Sequence, residues 1–517
     1  MRGSLFIKKR MDVVFCKGLL QFTKQNIGST INVLSERGKY GQMQFNSIEF
    51  LVFFPIVVFI YYLLPNRVKY VGLLAASYFF YMCWNPKYVV LILTATVITY
   101  LCGRILSLNE RNPGLRKAVL SLGIGLNLLM LCFFKYIPPH LQGFEILLPV
   151  GISFYTFQTI GYMVDVYRKE VEAEKNFLKY ALFVAFFPQL VAGPIERSKN
   201  LLKQVAEPHR FSYEKMVDGV LLMIWGFFLK MVIADRIAIF VDCVYGDYHT
   251  YGGWYLIVAT VLFALQIYCD FYGYSVIAMG AAEILGVKLM ENFRAPYLAT
   301  NVAEFWRDWH ISLNSWFKDY VYIPLGGNRK GKIRKYLNKM VVFLLSGVWH
   351  GSSLSFVVWG GLNGCFQIIG EALEPLRKKL CKVFCLKRES LAHRLAGILV
   401  TFCLVDFTWI FFRASRLKEA FWIIKEMFTV HNPWILADGS LYQCGLDARN
   451  WQLMWISILI LLLADIAKRR GIRIREVIQR QNAWCRIVCV VAGIMAVLIF
   501  GMYGPGYDQT GFIYFQF

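Results

Sequence analysis

Apolar runs of membrane-crossing length recur along this chain from about residue 48 to its C-terminal end, separated by short polar stretches rich in lysine and arginine. Roughly 20 mostly apolar residues cover the hydrocarbon core of a bilayer. By that measure candidate spans lie near 48–64, 68–84, 88–103, 117–134, 146–164, 179–193, 217–234, 254–269, 272–287, 341–359, 396–412, 452–466 and 485–502. Several are short or interrupted by glycine and proline. Phe186-Phe187-Pro188-Gln189 and Leu148-Pro149-Val150-Gly151 predict broken or re-entrant helices, stable at membrane depth only where protein or an aqueous cavity satisfies the freed backbone groups. Setting such pieces aside leaves about eleven true crossings. The fold class expected is all-α, a polytopic membrane protein with short re-entrant or interfacial helices among its transmembrane helices. No polar stretch is long enough for a separate soluble domain, so residues 44–517 read as one membrane domain.

Composition removes the soluble alternative. Of 517 residues 57% are hydrophobic, 16% aromatic and only 17% charged, against roughly 25% charged in a soluble domain. A water-soluble fold could not hide that much apolar surface. The 56 basic residues outnumber 33 acidic ones, for a net charge of +23, and they concentrate between the apolar runs, at 111–117, 329–339, 377–394 and 468–475. Short basic loops stay on the cytoplasmic side, where the anionic lipid of the bilayer also attracts them. The charge therefore reads as topology. It does not read as nucleic-acid binding, for which a basic face on a soluble domain would be needed.

Residues 1–43 form a basic, polar N-terminal extension that opens with Lys8-Lys9-Arg10 and lacks the apolar core and small-residue cleavage site of a signal peptide. Two readings stand: a start of translation at Met43, directly before the first span, or an interfacial arm. The 13 cysteines are scattered, many inside apolar runs, and predict neither a disulfide framework nor a zinc site. The motifs HExxH and GxSxG are absent from the sequence. The run from Gly326 to Lys332 has the spacing of a phosphate loop, but Ile333 stands where a hydroxyl residue should hold magnesium, and no strand precedes it. Nucleotide hydrolysis is rejected on that ground, and no metal is called for.

Polar and ionisable residues crowd between 292 and 364. They run from Asn292 to Tyr297, through Glu304-Phe305-Trp306-Arg307-Asp308-Trp309-His310 to Asn314, on to Gly326-Gly327-Asn328-Arg329, and resume at Ser346-Gly347-Val348-Trp349-His350-Gly351. Buried ionisable groups in a membrane domain are costly, so they are candidates for function. On one continuous helix Trp306, His310 and Asn314 would recur at i, i+4 and i+8, with Arg307 on the same broad face and the aromatics forming a dry wall. Gly347 and Gly351 flank His350, and their missing side chains would leave room beside the imidazole. Histidine, with an ordinary pKa near 6.5, can take a proton from an alcohol and return it. Structural hydrogen bonding is the competing role for both histidines.

The run from Phe305 to Arg329, together with Trp349-His350-Gly351, resembles the signature of the membrane-bound O-acyltransferase family, in the branch typified by the alginate O-acetylation membrane protein. Further matching pieces are Leu148–Phe154, Pro188–Ile195, Ala234-Asp235-Arg236, Thr408–Ala414 and the terminal Phe512–Phe517, so the likeness spans about residues 44–517. The continuation Tyr320–Arg329 resembles the polysaccharide acetylation branch more than the teichoic-acid D-alanylation branch, whereas Tyr272 and Val276 depart from the serine and aspartate usual there. The resemblance implies helices around a central tunnel in a bacterial plasma membrane. It implies an activated acyl group, carried as a thioester on coenzyme A or an acyl carrier, that reaches an extracytoplasmic hydroxyl without a bound cofactor. It also implies a separate extracytoplasmic partner in polysaccharide acetylation. By the same resemblance His350 matches the family's active-site histidine and His310 its second one. Trp306, Arg307, Asn314, Trp349 and Arg329 are the expected substrate-binding or tunnel-lining residues, and the basic run from Arg329 to Lys335 would suit donor phosphates. The alternatives are D-alanyl transfer to teichoic acid and a non-catalytic transporter or scaffold.

Overall fold

The computed structural model describes residues 43–137, 149–191, 193–385, 387–503 and Ile513. The extension before Met43, Leu148, Ala192, Phe512 and the last four residues, all named above, lie outside the described residues. Helices dominate from Ile48 onward, and no strand occurs among the described residues.

The chain begins with α1 (Ile48–Leu63), α2 (Lys69–Met82), α3 (Val89–Leu108) and α4 (Pro113–Tyr136). Polar caps set several starts: Ser47 accepts from Phe50 N (3.2 Å) and Asn112 from Leu115 N (3.0 Å), each satisfying an amide that the first turn leaves open. α5 (Ile152–Tyr167) follows, entered through Gly151 at φ +74°. The apolar run near 179–193 is not a crossing. It breaks at Phe186 into α6 (Phe177–Ala185), buried from Tyr180 onward, and the single buried turn α7 (Phe187–Leu190). Gln158 donates to Phe183 O (2.7 Å) and accepts from Gln189 (3.1 Å), so protein groups bond across the break, as expected for a helix broken at membrane depth.

α8 (Tyr213–Phe227) runs through a π-helical stretch, Phe228–Ala234, into α9 (Asp235–Gly246). The candidate spans 254–269 and 272–287 are a single 31-residue helix, α10 (Trp254–Ile284), the most buried of the long helices. α10 packs on α8 through glycines: a Cβ on Gly226 would stand 2.7 Å from Gly273 O, and one on Gly273 would stand 2.9 Å from Gly226 O. Small residues at the crossing let two membrane helices approach and pack without side chains between them. Lys230, in the π-helical stretch, bonds Asp235 and Asp270 at 2.7 Å each, with all three side chains only 2–3% exposed. The triad pins the bulge to the middle of α10.

Two short helices, α11 (Val302–Asp308) and α12 (Ile311–Phe317), then lead through a π-helical turn, Lys318–Tyr322, to α13 (Gly331–His350). The α-helices that follow among the described residues are α14 (Leu354–Ala372), α15 (Glu374–Val383), α16 (Leu391–Arg413), α17 (Leu417–Thr429), α18 (Ala448–Arg469), α19 (Ile474–Gln479) and α20 (Ala483–Phe500). Counting α8, the π-helical stretch and α9 as one run, Tyr213–Gly246, seven described helices are long and apolar enough to span a bilayer, or eight if α14 and α15, bent by 47°, count as one. The protein is thus a multi-pass membrane protein. The expected eleven crossings are not reached by this measure. α1, α2 and α5 are only 14–16 residues long, about 21–24 Å at 1.5 Å per residue, two predicted spans fuse in α10, and the predicted span 341–359 is cut after His350.

Candidate active site

His350 is the last residue of α13 and is buried, 5% exposed. Its ring stands edge-on to Trp349 (4.8 Å), Trp359 of α14 (5.1 Å) and Phe412 of α16 (5.2 Å). The helix stops there because the chain must turn sharply into α14. The two neighbouring glycines serve that turn. Gly347 lies against the Phe356 backbone and Gly351 against the Phe356 ring. The space they were expected to leave beside the imidazole is therefore taken up by α14 packing closely on α13.

His310 is also buried, but it is not in the middle of a helix. It sits between α11 and α12 with φ +45° and ψ 54°, a left-handed backbone that residues with a Cβ seldom adopt. The expectation of a single helix carrying Trp306, His310 and Asn314 on one face is corrected by this break. A segment outside the motif enforces it: Asn292 accepts from Ile311 N through its carbonyl (3.0 Å) and from Ser312 N through Oδ1 (3.3 Å), and its amide donates to Ser275 of α10 (3.1 Å). Ser312 Oγ accepts from Ile195 N (3.0 Å) and lies 3.5 Å from His310 Nδ1. The His310 ring stands edge-on to Phe271 (4.6 Å) and to Trp349 (6.2 Å). Trp349 is thus next to both imidazoles.

The other predicted residues separate into two groups. Trp306 is buried in the aromatic wall, 5.5 Å from both Trp359 and Phe343, and donates to Asn363 Oδ1 (3.1 Å). Trp349 continues the wall through Phe157 (5.5 Å), which stacks on Trp316 at 4.0 Å. Asn314 serves the backbone instead, since its amide donates to the carbonyls of Trp306 and Trp309, both at 2.6 Å, and closes the end of α11. Arg307 is exposed on α11, next in sequence to buried Trp306. Arg329 is exposed ahead of α13, whose 20 residues separate it from His350, about 30 Å along a helix.

Several residues around the site escaped the sequence reading. Asn363 of α14 joins Trp306 to Thr408 of α16, donating to Thr408 Oγ1 (3.1 Å). A single asparagine within an apolar run was the available signal. Arg469, read above as part of a topological loop, bonds Glu304 (2.7 Å) and Asp308 (2.8 Å), while Lys468 donates to Phe293 O (2.8 Å). The end of α18 thereby holds α11 in place. Burial pushes the Glu304 carboxyl up, but bonds from Thr300 and Arg469 outweigh it and leave the group below the usual range.

Comparisons with known proteins decide what this arrangement belongs to. The model of the membrane-bound O-acyltransferase family matches residues 168–404. A probable alginate O-acetylase of Pseudomonas putida is 32% identical over 92% of this chain and all of its own length. The chain belongs to the membrane-bound O-acyltransferase family. A peptidoglycan O-acetyltransferase of Helicobacter pylori is likewise 32% identical, over 74% of this chain and 79% of that protein. A teichoic acid D-alanyltransferase of Bacillus subtilis is 27% identical over 48% of this chain and 65% of that protein. Membership makes the chain an O-acyltransferase built into membrane helices, and both histidines fall inside the matched region.

Proposed function

We propose that the protein moves an acetyl group from a cytoplasmic thioester, acetyl-coenzyme A or an acetylated carrier, to a hydroxyl of an extracytoplasmic polysaccharide. The bacterial plasma membrane is its setting, and an extracytoplasmic partner receives the acetyl group or presents the polymer. The observation that carries this reading is the pairing of His350 with His310 in a buried aromatic enclosure, at the far end of α13 from the basic run beginning at Arg329. Likeness to an alginate O-acetylase and a peptidoglycan O-acetyltransferase over most of the chain favours acetyl over D-alanyl.

In this mechanism the donor enters a tunnel from the basic side and the acceptor hydroxyl arrives from the opposite side. His350 takes the hydroxyl proton as the oxygen attacks the thioester carbonyl. The tetrahedral intermediate collapses, the carbon–sulfur bond breaks, and the departing thiolate receives the proton from His350. General base catalysis of this kind contributes about 10²–10⁴-fold. His310 orients the donor or relays the proton. Dry aromatic walls keep water from competing for the thioester.

The test is complementation of a strain lacking the chain, with alkali-releasable acetate measured on its envelope polysaccharide. Wild type should restore acetate and His350→Ala, at equal membrane abundance, should restore none. Normal acetylation by His350→Ala would overturn the catalytic assignment, and release of D-alanine in place of acetate would move the chain to the D-alanylation reading.

A further inference from the structure

α4 is the least integrated of the long helices before residue 200. Only Gly123, Asn127 and Leu131 along its 24 residues are buried. A lysine in such a helix is costly unless its charge has a definite use. Lys135, in the last turn, crosses to α13, donates to Trp349 O (2.5 Å) and places its ammonium 5.6 Å from the centre of the Trp349 ring. The next residue, Tyr136, donates from its hydroxyl to Val348 O. Two consecutive side chains of α4 therefore bond two consecutive carbonyls of the turn that ends in His350.

That turn needs them. The last four carbonyls of a helix have no partner within it, and at membrane depth water cannot be relied on to supply one. The C-terminal end of a helix also carries partial negative charge, which a cation complements. Gly351 N, bonded to Gly347 O at 3.3 Å, closes the helix from its own backbone. Beyond that bond the Trp349–His350 peptide is held from outside, by Lys135.

We propose that Lys135 is a positioning residue for acyl transfer: by bonding the carbonyl of Trp349 it fixes the peptide that carries His350, and so the direction of the imidazole. This rests on the reading of His350 as the base. Lys135 touches neither donor nor acceptor in this scheme. It acts through the residue beside it, and α4 is the arm that brings it there.

The experiment uses the full chain in the complemented strain, with wild type, Lys135→Met, Lys135→Arg and His350→Ala compared at matched membrane abundance. Initial rates of alkali-releasable acetate formation are measured, together with the melting temperature of each protein in detergent. Misplacing a catalytic group by about 1 Å can cost on the order of a hundredfold. Lys135→Met, similar in length and without a donor, should lose roughly ten- to a hundredfold at an unchanged melting temperature. Lys135→Arg, which keeps the charge and the donor, should recover to within about threefold of wild type. If Lys135→Met does not accumulate, Lys135→Gln, a donor without charge, replaces it with the same expectation of a partial loss that arginine repairs. Wild-type rates in the methionine or glutamine variant, with His350→Ala inactive, would overturn the inference and leave the base intact. A loss that arginine does not repair, accompanied by a lower melting temperature, would also overturn it, as simple packing. An active His350→Ala would instead remove the base on which the inference rests.

Discussion

Replacing Lys230 by methionine removes the ammonium that bonds both Asp235 and Asp270. Each contact is 2.7 Å, and the three side chains are 2–3% exposed, so neither carboxylate can turn to water when its partner goes. Removing one member of a buried ion pair costs about 3–5 kcal/mol, most of it the cost of leaving charge uncompensated in a low dielectric. Two carboxylates are stranded here, placing the expected loss at the upper end, about 5 kcal/mol. Asp270 retains its bond from Ile513 N at 2.7 Å, which limits but does not cancel the effect. The assay is unfolding of the purified protein in mixed micelles by titration with sodium dodecyl sulfate, followed by tryptophan fluorescence. Replacing all three residues together, Lys230→Met with Asp235→Asn and Asp270→Asn, removes the charges as a set and should lose much less than the single substitution. A single variant within about 1 kcal/mol of wild type, or a triple variant as unstable as the single one, would refute the reasoning.

Asn363→Leu removes the side chain that joins Trp306 to Thr408; leaving the buried indole N–H unpaired should cost about 1–3 kcal/mol, read as a lower midpoint in the same titration and a shifted tryptophan emission. Arg307→Ala, at an exposed position, should stay within about 0.5 kcal/mol of wild type and retain full acetate transfer in the complemented strain; a loss of activity at normal abundance would instead support its expected substrate-binding or tunnel-lining role.

The helical, membrane-crossing character of the chain was legible in its apolar runs, because lipid demands both continuous apolar length and internally bonded backbone. Where helices begin, break or fuse was less legible, because those choices are made by residues far away in sequence. Asp270 interrupts an apolar run and reads as a boundary between two spans. In the folded protein Lys230 neutralises it, and α10 continues through. The spacing of Trp306, His310 and Asn314 fits a helix, yet bonds from Asn292 turn the chain at His310. The glycines around His350 were read as leaving room beside the imidazole, and their spacing cannot say that Phe356 fills it. Both histidines were singled out among the seven of the chain because they lie in its polar cluster between 292 and 364 and match the family resemblance. Lys135 and Asn363 were missed because one polar residue at the end or middle of a span is indistinguishable from a snorkelling or solvated one until its partner is known.

The left-handed backbone at His310 gives that position two separate demands. Any residue placed there must accept φ +45°, and alanine, valine or phenylalanine would meet that demand poorly, whereas asparagine and glycine accept it readily. An alanine scan at this site would mix a conformational cost with the loss of the imidazole and overstate the ring's share. His310→Asn, which keeps the corner and a hydrogen-bonding side chain, is the cleaner measure of what the ring alone contributes.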